Sequence, residues 1–153
     1  MKEDSISPPK IYLGSHVRQV QLSNGAKAWC FSSSQYVQAA VKNVESYLKS
    51  KNKKLPARAN TPLQSDYCPK LDVSPELGPI ETSYYQSSIE ILCWMVELGR
   101  VDICLEVSLM SSHLVLPCKG HLNQLFHMFG YLNKYHNSKM IFDLSDLVID
   151  ESV

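Results

Sequence analysis

The stretch Ser83–His121, SYYQSSIEILCWMVELGRVDICLEVSLMSSHLVLPCKGH, carries the helix starts and stops from which the architecture follows. Ser83 with Gln86 three positions on reads as a capping box, in which side chains satisfy the free amides of a helix start. Behind it Tyr85, Ile89, Leu92 and Val96 keep helical spacing, and Gly99 offers the left-handed stop that ends many helices. A helix from about Ser83 to Leu98 is therefore expected. A second begins near Val101, with Ile103, Val107 and Met110 on one face, and stops before Pro117. A third, from Lys119 to His136, shows Leu122, Leu125, Phe126, Phe129 and Leu132. Three helices joined by short connections can share one core.

Toward the N-terminus the periodicity changes. Ile11–Leu22 is rich in β-branched and aromatic residues, and Ser23-Asn24-Gly25-Ala26 separates it from Lys27–Phe31. Asn-Gly between two such runs predicts a hairpin, because a type I′ turn needs positive φ at both central residues. Ser32 with Gln35 fits another capping box, and Val37, Val41, Val44 and Leu48, widened by Tyr36, Ala40 and Tyr47, predict an amphipathic helix. Lys49, Lys51, Lys53 and Lys54 follow, where cations favour the negative end of the helix dipole.

Five prolines (Pro56, Pro62, Pro69, Pro75, Pro79) then remove amide donors and push their neighbours out of helical conformation, so an extended surface linker is expected. Its length points to a subdomain boundary. Met140-Ile141-Phe142 reads as a short strand before an acidic tail of Asp143, Asp146, Asp150 and Glu151. The expected class is α+β: hairpin plus helix over 1–54, linker over 55–82, helical block over 83–137, and strand plus tail over 138–153.

At 153 residues with 44% hydrophobic and 20% charged side chains, the chain can bury a sizeable core. Its net charge of +0 hides an asymmetry. From Ser33 to Asn60 six cations (Lys42, Lys49, Lys51, Lys53, Lys54, Arg58) face Glu45 alone, while seven acids between Leu71 and Glu106 face only Arg100. The first stretch is where an anionic partner would bind. MKEDSISPPK lacks the apolar run of a signal peptide, and the longest such run, Ile91–Val96, is far short of a membrane span. An intracellular protein, cytoplasmic or nuclear and without membrane contact, is expected. The five cysteines form no C-x-x-C pair and read as reduced structural thiols.

Catalytic constellations are wanting. His113, His121, His127 and His136 offer no i, i+4 pair for a metal. Ser111, Ser112 and His113 are neighbours on a helix and point to different faces, while Arg100 and Asp102 serve structure, with Asp102 at a helix start. There is no glycine-rich phosphate loop, and the tail acids do not converge from separate elements as a two-metal nuclease requires. No catalytic residue, metal ligand or cofactor is expected.

The order of these motifs resembles the copia-type retrotransposon Pol polyprotein. The resemblance rests on Ile11-Tyr12-Leu13-Gly14, Gln35-Tyr36-Val37, Asn60-Thr61-Pro62-Leu63, Tyr84-Tyr85-Gln86-Ser87, Arg100-Val101-Asp102-Ile103, Pro117 to His121, and Tyr131-Leu132, over roughly residues 6 to 143. It implies a non-catalytic thumb and connection segment, between a polymerase palm whose Tyr-x-Asp-Asp box lies upstream and ribonuclease H acids beyond Val153. The chain is thus expected to be a fragment, no enzyme alone, that assists primer–template binding. Tyr12, Leu13 and Gly14 would lie near the primer, and Lys49, Lys51, Lys53, Lys54 and Arg58 would meet backbone phosphates. The family typically has Gly at Glu90 and Arg at Cys93 and Cys118, so two cations are lost here. The competing expectation is a helical interaction module, or an inert element remnant, that self-associates through an exposed face bearing Trp94, Met95 and Met128.

Overall fold

A computed structural model describes residues 10–142, so the acidic tail and the first nine residues lie outside the described part. The element order is β1 (Ile11–Tyr12), β2 (Ser15–Gln21), β3 (Lys27–Ser32), α1 (Ser34–Ser50), α2 (Pro79–Glu97), α3 (Cys104–Ser111), α4 (Lys119–Lys134) and β4 (Met140–Phe142), with 3-10 turns at Pro69–Leu71 and Val101–Ile103. The α+β class expected from the sequence holds.

Ile11–Leu22 is two strands, not one. Ile11 pairs with His16 and Tyr12 with Ser15, so the chain reverses at Leu13-Gly14, where φ is 49° and 90°. This is the two-residue turn with both central φ positive that Asn24-Gly25 was expected to supply. At the second reversal only Gly25 is left-handed, at φ 82°. There the Gly25 N–H donates to the Leu22 carbonyl at 2.9 Å, and the Asn24 side chain accepts from the Ala26 N–H at 2.9 Å. The longer loop lets Asn24 keep negative φ and bond its own backbone instead.

β4 returns from beyond α4 and pairs antiparallel with β3, Trp29 opposite Phe142 and Phe31 opposite Met140. The sheet order β1-β2-β3-β4 therefore joins the two ends of the described chain. Ser15, fully buried, donates to the Leu98 carbonyl at 3.4 Å, and Met140 lies 3.8 Å from where a Gly99 side chain would begin. These contacts dock the sheet on the C-terminal end of α2.

The helical stripes pack as their spacing requires. Val37, Ala40, Val41, Val44 and Leu48 of α1 join Tyr85, Ile89, Leu92 and Met95 of α2, Val107 and Met110 of α3, and six apolar residues of α4 in one cluster. Helices on both sides of the proline-rich stretch thus share a core. Gly99, at φ 96°, ends α2, with the Arg100 N–H reaching back to the Met95 carbonyl at 3.0 Å. Among the described residues no helix is long and apolar enough to cross a membrane.

Two helix starts differ from expectation. Gly78 precedes α2 and Pro79 is its first residue, so Ser83 lies inside the helix and Gln86 donates to the Leu114 carbonyl instead. Proline suits that first position because its missing N–H would have no partner there anyway. Ser33, not Ser32, precedes α1, and it makes no side-chain cap. Ser32 is spent in β3, opposite His16.

The segment from Pro56 to Leu77 runs antiparallel along the whole of α4 as a strap. From one end to the other, Lys134 bonds Asn60, His127 Nε2 meets the Thr61 carbonyl at 3.0 Å, and Gln124 donates to Gln64 at 2.6 Å. His121 Nε2 then meets the Pro69 carbonyl at 3.1 Å, and the Lys119 N–H donates to Pro75 at 2.9 Å. The prolines prevent helix here, and side chains of α4 supply the partners that a helix would have provided internally.

Candidate nucleic-acid interface

Lys49, Lys51, Lys53 and Lys54 are exposed where α1 ends and the chain turns back toward α4. The last turn closes with Asn52 at φ 55° and the Lys53 N–H on the Leu48 carbonyl at 2.9 Å, which fans the lysines around the helix terminus. Lys49, Lys53 and Lys54 line a cleft of about 410 Å³ with Glu45, Asn52 and Leu55. Lys53 and Lys54 also border a second cleft of about 370 Å³ whose far wall is Asn123, Gln124, Phe126 and His127 of α4. Lys51 is partly engaged, its Nζ 5.9 Å from the centroid of the Tyr47 ring. Among the described residues the one salt bridge is Arg100–Asp102, so none of these lysines is paired with a described carboxylate. Glu45 is the acid that shares their cleft. Arg58 is exposed on the turn that lays the strap on α4.

Tyr12, Leu13 and Gly14 form the exposed tip of the first hairpin, at the opposite end of α1. The 17 residues of α1 at about 1.5 Å each place roughly 25 Å between the tip and the lysines. The two halves of the expected surface are therefore separate. Tyr12 packs edge-on to Phe31, centroids 6.0 Å apart, and Phe31 does the same to Phe142 at 6.4 Å. Leu13 is 57% exposed with φ at 49°, a left-handed conformation that costs a leucine about 1 kcal/mol.

The face expected to expose Trp94, Met95 and Met128 does not exist as such. Met95 and Met128 are fully buried, and only Trp94 reaches solvent. On a helix Trp94 and Met95 are about 100° apart, which puts the first outside and the second in the core.

A polar cluster that spacing alone did not indicate lies at the N-terminus of α4. Cys118 and His121 form a capping box there: the Cys118 N–H donates to His121 Nδ1 at 3.0 Å, and the thiol sulfur accepts from the backbone at the box's third position. Cys118 Sγ and His121 Nδ1 are 3.2 Å apart. Asp72, brought in by the strap, accepts from the Tyr67 hydroxyl at 2.6 Å and the Ser74 N–H at 2.9 Å. Burial raises the Asp72 carboxyl, but hydrogen bonds from Ser74, Tyr67 and Cys118 outweigh it and hold the group below the usual carboxylate range. Asp72 fits because position 120 is glycine: a Cβ there would stand 1.6 Å from a carboxylate oxygen. One ligand atom each from Asp72, Cys118 and His121 lies within 4.8 Å of the others, so these residues could hold a metal. The readable signal was the three-residue spacing of Cys118 and His121, a capping-box spacing in residue types rarely used for it.

Arg100 is 1% exposed and grips Asp102 with two hydrogen bonds of 2.8 and 2.7 Å, leaving Nη1 without a partner among the described residues. The Tyr131 hydroxyl also donates to Asp102, at 3.0 Å, so the pair ties the α2–α3 connection to α4. Comparison with family models, curated proteins and solved structures returned no match.

Proposed function

We propose that this chain is a non-catalytic, duplex-holding segment akin to the thumb and connection of a copia-type reverse transcriptase, and that it assists primer–template binding in RNA-directed DNA synthesis. The observation that carries this reading is the group Lys49, Lys53 and Lys54 around adjoining clefts, without a carboxylate ion pair among the described residues. Cations left unpaired on one surface favour a polyanion, and contacts to phosphates carry no base information. The strained, exposed Leu13 at the hairpin tip supports a second contact, since local strain is retained where a surface is used. Fluorescence anisotropy with a primer–template duplex tests it: binding at low salt that weakens steeply toward physiological salt is expected, and no binding at low salt would sink it. Metal-dependent primer extension by the purified chain would contradict the non-catalytic part.

A protein-interaction role is the second reading, supported by Leu105 and Leu109, one turn apart on α3 and 67% and 44% exposed. Concentration-dependent self-association without nucleic-acid affinity would favour it over the first.

A further inference from the structure

We propose that Asp72, Cys118 and His121 form a binding site for a thiophilic divalent cation, with zinc the best fit to the donors. Thiolate, imidazole and carboxylate are the three donor types zinc takes, whereas magnesium or calcium would want oxygen alone.

His121 is already in the required state. Nε2 lies 3.1 Å from the Pro69 carbonyl, which can only accept, so Nε2 carries the proton and Nδ1 presents a lone pair. A backbone carbonyl behind the distal nitrogen is the arrangement that orients metal-ligating histidines. Zinc–sulfur and zinc–nitrogen bonds of about 2.3 and 2.0 Å at a tetrahedral angle require roughly 3.5 Å between the donors. Sγ and Nδ1 are 3.2 Å apart, so a shift of a few tenths of an ångström suffices. Asp72 is held by the strap, accepting from the Tyr67 hydroxyl and the Ser74 N–H, and a cleft of about 500 Å³ beside it, lined by Tyr67, Cys68, Leu71 and Ser74, offers a path from solvent. The Asp72 carboxylate and the thiolate formed on binding would together balance the cation's charge.

Binding releases the Cys118 thiol proton to solvent as the sulfur–metal bond forms. The Cys118 N–H gives up Nδ1 as acceptor, and this loss opposes binding. Three protein donors leave one of zinc's four positions to water.

Cobalt(II) chloride titrated into the full chain tests the site, because a cysteine thiolate on cobalt gives a near-ultraviolet charge-transfer band. A triple variant, C68S/C93S/C104S, removes the three exposed cysteines that could bind metal adventitiously. One equivalent of cobalt, displaced by zinc, is expected in both parent and triple variant. The band should vanish when Cys118→Ser is added, and zinc affinity should fall by more than about tenfold in Asp72→Asn. If Cys118→Ser does not fold by circular dichroism, His121→Gln in the triple variant takes its place, with the same loss expected. A triple variant without the band, or a band indifferent to Cys118 and His121, overturns the assignment.

Discussion

The carbonyl oxygen of Pro56 lies 2.6 Å from where a Cβ on Gly130 would stand. The strap is thereby seated directly on the backbone of α4, with the buried Ala59 beside it, at a position where any side chain would lift it. The glycine weakens α4 locally and makes the tight passage possible.

Replacing Gly130 with alanine sets two effects against each other. Alanine favours a helix interior by about 1 kcal/mol over glycine, while forcing a methyl against a backbone carbonyl costs about 1–3 kcal/mol, because the carbonyl cannot rotate away as a side chain could. A net loss of about 1 kcal/mol is expected, read as a lower urea midpoint at unchanged slope. A gain in stability would show that the strap yields easily.

Tyr84 and Tyr85 should respond oppositely to losing their hydroxyls. Tyr85, fully buried, donates to the Met110 carbonyl at 2.8 Å, so Tyr85→Phe is expected to cost about 1 kcal/mol. Among the described residues the buried Tyr84 hydroxyl has no partner in good hydrogen-bond geometry, Ser88 alone lowering a pKa that burial pushes up to about 12, while its ring stacks on Tyr47 at 3.6 Å. Tyr84→Phe keeps the stack and removes the orphan, so it should be neutral or stabilising by up to about 1 kcal/mol. Parallel thermal melts decide.

Asp102 makes stability sensitive to acid. Burial raises its carboxyl, but the hydrogen bonds and charge of Arg100, with Tyr131, lower it further than burial lifts it. A depressed folded pKa means the contribution is complete above the unfolded value of about 3.9 and is lost as pH falls through the folded one. Asp102→Asn should cost about 3 kcal/mol at neutral pH, mainly by stranding the buried Arg100. The gap between variant and parent should close below about pH 4, in denaturant melts run across that range.

The lysines and the hairpin tip should act independently in nucleic-acid binding. Replacing Lys49, Lys51, Lys53 and Lys54 with glutamine is expected to weaken duplex binding alike on all sequences and to flatten its salt dependence. Leu13→Asn relieves a left-handed leucine, so about 0.5–1 kcal/mol of added stability is expected with the salt slope unchanged. Sites roughly 25 Å apart along α1 should add in free energy. A strong departure from additivity in anisotropy titrations would show that one duplex does not simply span both.

Much of the fold was legible in local patterns. The stripe Val37, Val41, Val44, Leu48 and the Gly99 stop were readable because one helical face and one left-handed residue are properties of a few neighbouring positions. Helix starts were less so. Ser83-x-x-Gln86 has the form of a cap, yet the helix had already begun at Pro79, since a cap motif inside a helix costs little if its side chains find other work. The lysine cluster was visible as composition, but its separation from Tyr12 depends on which end of α1 each occupies.

The sequence by itself determined the apolar stripes of the helices, the α+β class and the concentration of cations after α1, because each depends on spacing within one or two turns. Tertiary structure decided the route of the strap, the need for glycine at positions 120 and 130, the burial of Met95 and Met128, and the meeting of Asp72 with Cys118 and His121. Those outcomes depend on which distant surfaces meet. That is set by how the apolar faces of four helices close on one another, a balance over the whole chain that no short pattern contains.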